Sequence, residues 1–196
     1  MTAFRTLRLR ARYNILTPIA VLSAGLALTM GAPAMAANVP PVSLLPAATF
    51  SNSDTIDATG ISAGVTGTTV TSLTNTAAGV IESNYPAIDI SSDVGIFSNA
   101  GKISSSVNDA VHIGGGVTTF TNAGKIDAGN GVGVTIDGAV GSFANAATGH
   151  IGSTDNMAVF FDTLVSNFTN DRTRPSRCAQ ACWRCTGACA GQSRQC

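Results

Sequence analysis

One short signature recurs along this chain, and it limits what the chain can fold into. The signature is an apolar residue, any two, an aromatic or Leu, any one, then Asn. It reads Val70-Thr-Ser-Leu73-Thr-Asn75, Val94-Gly-Ile-Phe97-Ser-Asn99 and Val117-Thr-Thr-Phe120-Thr-Asn122. Val140-Gly-Ser-Phe143-Ala-Asn145 and Val165-Ser-Asn-Phe168-Thr-Asn170 follow, and Phe50-Ser-Asn52 is a partial earlier copy. The steps between anchors 50, 73, 97, 120, 143 and 168 are 23, 24, 23, 23 and 25 residues. A fixed period of this size marks a repeat architecture whose units stack.

Each unit carries further matched positions. An Ile follows the Asn after a small loop: Ile81, Ile103, Ile126 and Ile151. An apolar pair two apart comes next: Ile88 and Ile90, Val111 and Ile113, Val134 and Ile136, Val159 and Phe161. Alternate residues of a strand face one way, so each pair points into one core. One unit thus holds three short strands separated by turns. A single unit cannot bury its apolar face; stacking at roughly 4.8 Å per coil buries it and pairs the backbone. The expectation is an all-β, right-handed parallel β-helix over residues 50–170, with four full coils and a partial first one. The main rival, a leucine-rich repeat, needs a Leu-dominated pattern and usually a helical segment per unit. This middle is Val- and Ile-based, and its loops carry no helical pattern.

Asn52, Asn75, Asn99, Asn122, Asn145 and Asn170 share one phase of the repeat, so they are expected to lie above one another. Asn tolerates the left-handed region and bonds neighbouring backbone or the next Asn in line. The row reads as turn residues, with a ligand-binding row as the alternative. Phe97, Phe120, Phe143 and Phe168 form the matching core row. Gly101, Gly124 and Gly149 are expected to supply backbone freedom after the turn.

The flanks differ in character. Residues 1–36 hold four arginines and no acid. A basic start, the interrupted apolar stretch Ile15 to Met30, and the small residues of Ala34-Met35-Ala36 read as a secretory signal. Residues 37–49, with Pro40, Pro41 and Pro46, read as an extended linker. The middle holds only Lys102 and Lys125 against ten acids, a poor match for nucleic acid or anionic lipid. Residues 171–196 carry all five cysteines, Cys178, Cys182, Cys185, Cys189 and Cys196, and the only Trp, Trp183. A zinc site or a disulfide knot are open readings of those thiols. The preferred reading is a disordered or out-of-frame tail. With G/C-rich codons, Cys182-Trp183-Arg184-Cys185 reads Val-Leu-Ala-Val in a neighbouring frame, where the next apolar pair after Phe168 is due.

Recognisable catalytic motifs are lacking: there is no Gly-x-Ser-x-Gly elbow, phosphate loop or His-Glu-x-x-His. His112 and His150 sit at different phases, and His112, between two inward residues, is expected to face solvent. Asp54, Asp57, Asp89 and Asp93 are the carboxylates to check for acid–base or calcium chemistry, although Asp is a routine turn residue. No catalytic, cofactor or metal residue is expected.

A long leader followed by Gly-, Asn- and Thr-rich coils reading Phe120-Thr-Asn-Ala-Gly-Lys-Ile126 resembles the passenger region of bacterial autotransporters. Large surface adhesins of the haemagglutinin type have the same look. The resemblance covers about 120 residues and is specific for fold, not activity. It implies an exported structural stalk or adhesin, reaching the periplasm, cell surface or medium, with a host surface or a second copy as partner. Family members usually continue into an outer-membrane translocator barrel. This chain departs there, ending at Cys196 without room for one, so the expectation is an amino-terminal fragment. A secreted β-helix polysaccharide lyase or hydrolase is the alternative from another class. A non-functional product of a frameshifted gene is the third.

Overall fold

The computed structural model describes residues 20–22, 38–60 and 62–171. Among them there is no helix, and none therefore long and apolar enough to cross a membrane. The chain winds through three parallel sheets, visiting each once per turn.

The first sheet is made by the apolar pairs: Val42–Leu44, Val65–Gly67, Ile88–Ile90, Val111–Ile113, Val134–Ile136 and Val159–Phe161. We call it the pair sheet. The second, the asparagine sheet, holds the signature: Ala48–Asn52, Val70–Asn75, Val94–Asn99, Val117–Asn122, Val140–Asn145 and Val165–Asn170. The third, the isoleucine sheet, holds Asn38–Val39, Thr55–Ala58, Val80–Ser83, Lys102–Ser105, Lys125–Ala128 and His150–Ser153. The result is a β-solenoid of about six turns.

Register repeats from turn to turn. Phe97 pairs with Leu73 below and Phe120 above, and Asn99 with Asn75 and Asn122. Ile103 pairs with Ile81 and Ile126, and Val111 with Ile88 and Val134. Like therefore stacks on like. A one-residue slip would turn every inward residue outward, so the buried face enforces the register.

The spacing inside the signature has a geometric cause. In the strands from Val70 to Asn145, the first Val is buried, the next two positions are not, and the fourth and sixth are buried. The strand turns a corner after its Val, then alternates regularly, placing Phe and Asn on the inner face. Inward Val70, Leu73, Ile81, Ile88, Ile90 and their equivalents above form one continuous core. Phe97 and Phe120 stack with centroids 4.4 Å apart and planes within 2°. Phe120 and Phe143 follow at 4.5 Å. Those separations are about one strand spacing, so ring stacking and backbone pairing are satisfied by one repeat distance.

The stack begins earlier than the repeat signature does. Residues 37–49 were expected to be a linker, yet 38–39, 42–44 and 48–49 lie in strands of the first turn. Val42 and Leu44 are buried core residues in register with Val65 and Gly67. Pro40, Pro41 and Pro46 fall between strands, where a missing N–H removes no ladder bond. The first turn escapes the signature because its asparagine strand is short and opens on Ala48, with a register shift beside it. Ala20–Leu22 adds a seventh strand to the pair sheet, parallel to Val42–Leu44. The remainder of the segment read as a leader, and the cysteine-bearing tail from residue 172, lie outside the described residues.

Phe120 is fully buried between two rings. Phe120→Ala should lower stability by about 3–5 kcal/mol in a urea melt, and Phe120→Asp should leave no cooperative transition. The same Ala change at Phe168, partly buried on the last turn, should cost clearly less. Equal losses at both positions would show that the row is not a graded core.

Candidate functional site

The asparagine row is the most ordered polar feature of the fold. Five of its six members are buried, and they sit on the inner face of the asparagine sheet at its corner with the isoleucine sheet. Their side chains form one hydrogen-bonded ladder. Asn52 Nδ2 donates to Asn75 Oδ1 at 2.9 Å, and Asn75 Nδ2 to Asn99 Oδ1 at 2.8 Å. Asn99 donates to Asn122 and Asn122 to Asn145, both at 2.8 Å, and Asn145 to Asn170 at 2.9 Å. Every donor points towards the C-terminal end.

The amides also tie down the following loops. Nδ2 of Asn99 donates to Gly101 O at 3.3 Å and that of Asn122 to Gly124 O at 3.2 Å. Nδ2 of Asn75 and of Asn145 reach Gly79 O and Gly149 O, at 3.2 and 3.4 Å. No buried side-chain N or O among the described residues lacks a partner. Satisfaction of this kind is what allows a polar row inside an apolar core. It also explains the glycines. The backbone freedom expected of them is not used for a left-handed conformation: among described residues only Gly60 and Ala47 have positive φ. They are required by close approach. A Cβ on Gly101 would lie 2.1 Å from Gly79 O, and one on Gly149 2.3 Å from Asn145 Oδ1.

A second cluster lies on the outer face of the pair sheet. His112 Nδ1 is 2.9 Å from Asp89 Oδ1, one turn below, and Nε2 is 3.4 Å from Asp137 Oδ2. The ring faces outward as expected, but it is only 34% exposed because two carboxylates flank it. Burial is the largest single influence and lowers its pKa. The hydrogen bonds and charges of Asp89 and Asp137 together outweigh burial, so the pKa is raised above 6.5. Beside it, Asp109 Oδ2 accepts from Thr135 Oγ1 at 2.6 Å and Oδ1 from Val132 N at 2.7 Å. On the isoleucine sheet, Asp127 holds Lys125 and sits 2.9 Å from His150 Nε2, while Glu82 holds Lys102.

The carboxylates singled out from sequence do not converge. Asp54 N–H donates to Asn52 Oδ1 within the turn after it. Asp57 lies on the isoleucine sheet, and the Thr59 hydroxyl and N–H hold its carboxyl below the usual carboxylate range. Asp93 accepts from Gly116 N at 2.7 Å in a corner loop. Only Asp89 joins a cluster. Among the described residues no three His, Cys, Asp or Glu side chains are placed to hold a metal ion. A shallow cleft of about 500 Å³ runs over the corner between the pair and asparagine sheets, floored by Gly95, Gly116 and Gly141 and edged by Thr71 and Asp93.

Sequence reasoning missed the inter-turn partners, because they are set by loop lengths. His112 and Asp89 are 23 residues apart and Asp137 lies 25 further on, so the 23- to 25-residue period already contained the signal. Inward Ser83 and Ser105 were also missed. Each accepts a loop N–H, from Tyr85 at 2.9 Å and Asn108 at 3.0 Å.

Asn99→Ala should destabilise the stack by roughly 1–3 kcal/mol, because Asn122 Oδ1 loses its donor while Asn75 Nδ2 keeps its loop carbonyls, whereas Asn170→Ala at the exposed end should cost far less. Chemical denaturation of both variants checks this. For His112 the sign follows from its raised pKa. Its ion pairing stabilises fully below pH 6.5 and is lost as pH rises through the folded-state value. Wild type minus His112→Gln stability should therefore be larger at acid than at alkaline pH, by on the order of 0.2–1 kcal/mol given solvent screening. A pH-independent difference would remove the ion pairs from the account. In comparisons with known proteins, no family model, no curated protein and no solved structure matches this chain.

Proposed function

We propose that the chain is an exported, passenger-like stalk or adhesin: a rod whose task is to hold and present surface, without catalysis. The observation that carries this reading is the continuity of the stack. Core and amide ladder run unbroken through the turns, joined by the aromatic row from Phe97 to Phe168, in one register from Val70 onward. Such a construction suits a spacer, because each turn contacts only its neighbours and length is set by repeat number. The basic, then apolar, then small-residue start supports export through the inner membrane. The acidic middle supports a partner other than nucleic acid: a host surface or another copy of the chain. Resemblance to autotransporter passengers fits the same picture.

A second reading has one observation in its favour. Asp89, His112 and Asp137 lie together on one outer face of adjacent turns, the kind of cluster a β-helix enzyme acting on acidic polysaccharide would use.

Expression in a Gram-negative host with fractionation separates the possibilities. The expected result is protein in the periplasm or medium whose first residue is Ala37, with Ala36→Lys reducing the processed form by at least ~10-fold. Cytoplasmic, unprocessed protein would end the export reading. Depolymerisation of an acidic polysaccharide, lost in both Asp89→Ala and His112→Ala, would replace the stalk with the enzyme.

A further inference from the structure

An asparagine amide is a thermolabile group, because the backbone nitrogen of the next residue can attack it. The ladder shows how this fold prevents the attack. The N–H that follows each of Asn75, Asn99, Asn122 and Asn145 donates to the ladder carbonyl one turn below, at 2.8 to 2.9 Å. A hydrogen-bonded N–H is held away from the adjacent amide, and these four amides are buried as well. Tyr85 N, which follows Asn84, donates to Ser83 Oγ. Asn108 and Asn156 precede Asp109 and Met157, whose side chains crowd the approach.

One asparagine has none of these protections. Asn130 is exposed in the corner loop between the isoleucine and pair sheets. It is the only Asn in the sequence followed by Gly, and Gly places no side chain in the way. The Gly131 N–H donates to no acceptor among the described residues. Asp137-Gly138 is the nearest counterpart, and there Gly138 N is tied to Gly115 O at 2.9 Å.

We propose that Asn130 and Gly131 form a self-modifying site, and that its products loosen the stack at this turn. Gly131 N forms a bond to Asn130 Cγ as the Cγ–Nδ2 bond breaks. The Gly131 amide proton leaves with that nitrogen as ammonia. Water then opens the cyclic imide at either carbonyl, leaving aspartate or isoaspartate at position 130. The balance is water in and ammonia out, with no other reactant.

The corner has no room for the change. A Cβ on Gly131 would lie 2.2 Å from Asn108 C, and Gly131 O accepts from Ser153 Oγ at 2.6 Å in the turn above. Isoaspartate routes the main chain through the side-chain carbon, which lengthens a loop whose length sets the register of the strands on either side. Both products also add a carboxylate. Ala128 stands in register with Ser153, so position 130 is the place that Asp155 holds one turn up. Two like charges then face each other at about one strand spacing.

The test uses the full chain, held at mildly alkaline pH and sampled over time for peptide mapping by mass spectrometry. The peptide carrying Asn130 should gain the mass of an amide-to-acid change and separate into two products. Its rate should exceed that of every other described Asn at least ~10-fold. It should rise with pH, because the attacking nitrogen must lose its proton. Aged protein should melt at a lower temperature than fresh protein, while Asn130→Gln aged alongside should keep both its mass and its melt. An Asn130 amide that stays intact while a free peptide of residues 128–132 converts would overturn the proposal. Conversion no faster than at Asn84 or Asn108 would overturn it equally, and conversion with an unchanged melt would remove the loosening. Wild-type protein reports the modification by itself, so the outcome does not depend on the Gln variant folding.

Discussion

Parallel pairing in an unshifted register is the constraint on which everything else in this molecule depends. It brings residues 23 to 25 positions apart to within one strand spacing of each other. Once that distance is imposed, each side chain meets its own equivalent above and below. Few residue types tolerate such self-contact. Branched aliphatics do, by van der Waals packing, and flat rings do, by stacking. Asn does because its amide carries a donor on one side and an acceptor on the other. Asp or Lys at the same inward phase would face a like charge on every turn. The restricted inner alphabet of Val, Ile, Leu, Ala, Phe, Asn and Ser follows from this rule.

The outer face tolerates like residues in register because water screens them and neighbouring opposite charges offset them. Lys102 stands in register with Lys125 and Asp57 with Glu82, and opposite charges placed diagonally or along a strand offset them: Glu82 beside Lys102, Asp127 beside Lys125 and His150, Asp89 and Asp137 around His112. These pairs are half-exposed, and each adds little stability by itself. The pairs that cross between turns also favour the native register, since a slip of one residue would separate them.

The three strands per turn and the inward residues were legible in the sequence because burial leaves a periodic trace, from Val70 to Phe168. The first turn was less legible: Val42 and Leu44 stand among prolines, and Ala48 replaces the usual Val. Proline argues against a strand only where the N–H is needed, and here it falls in the connections. The Asn row could be read as co-phased, but its one-way donation could not, because amide direction depends on loop carbonyls such as Gly101 O and Gly124 O. The histidine cluster was hidden for a similar reason. Asp137 lies two residues past Thr135, the register partner that matching the turns places opposite His112.

The direction of the amide row has a mechanical meaning. Rotating a single Asn side chain by half a turn would put NH2 against NH2 on one side and oxygen against oxygen on the other. It would also pull the amide from its loop carbonyl. The six side chains, from Asn52 to Asn170, are therefore held in one common orientation that no member can leave alone. Aligned amide dipoles add, so the rod has a polar axis running through a core of uncharged residues. A stack without a helix among its described residues has in this way acquired the end-to-end polarity usually associated with one.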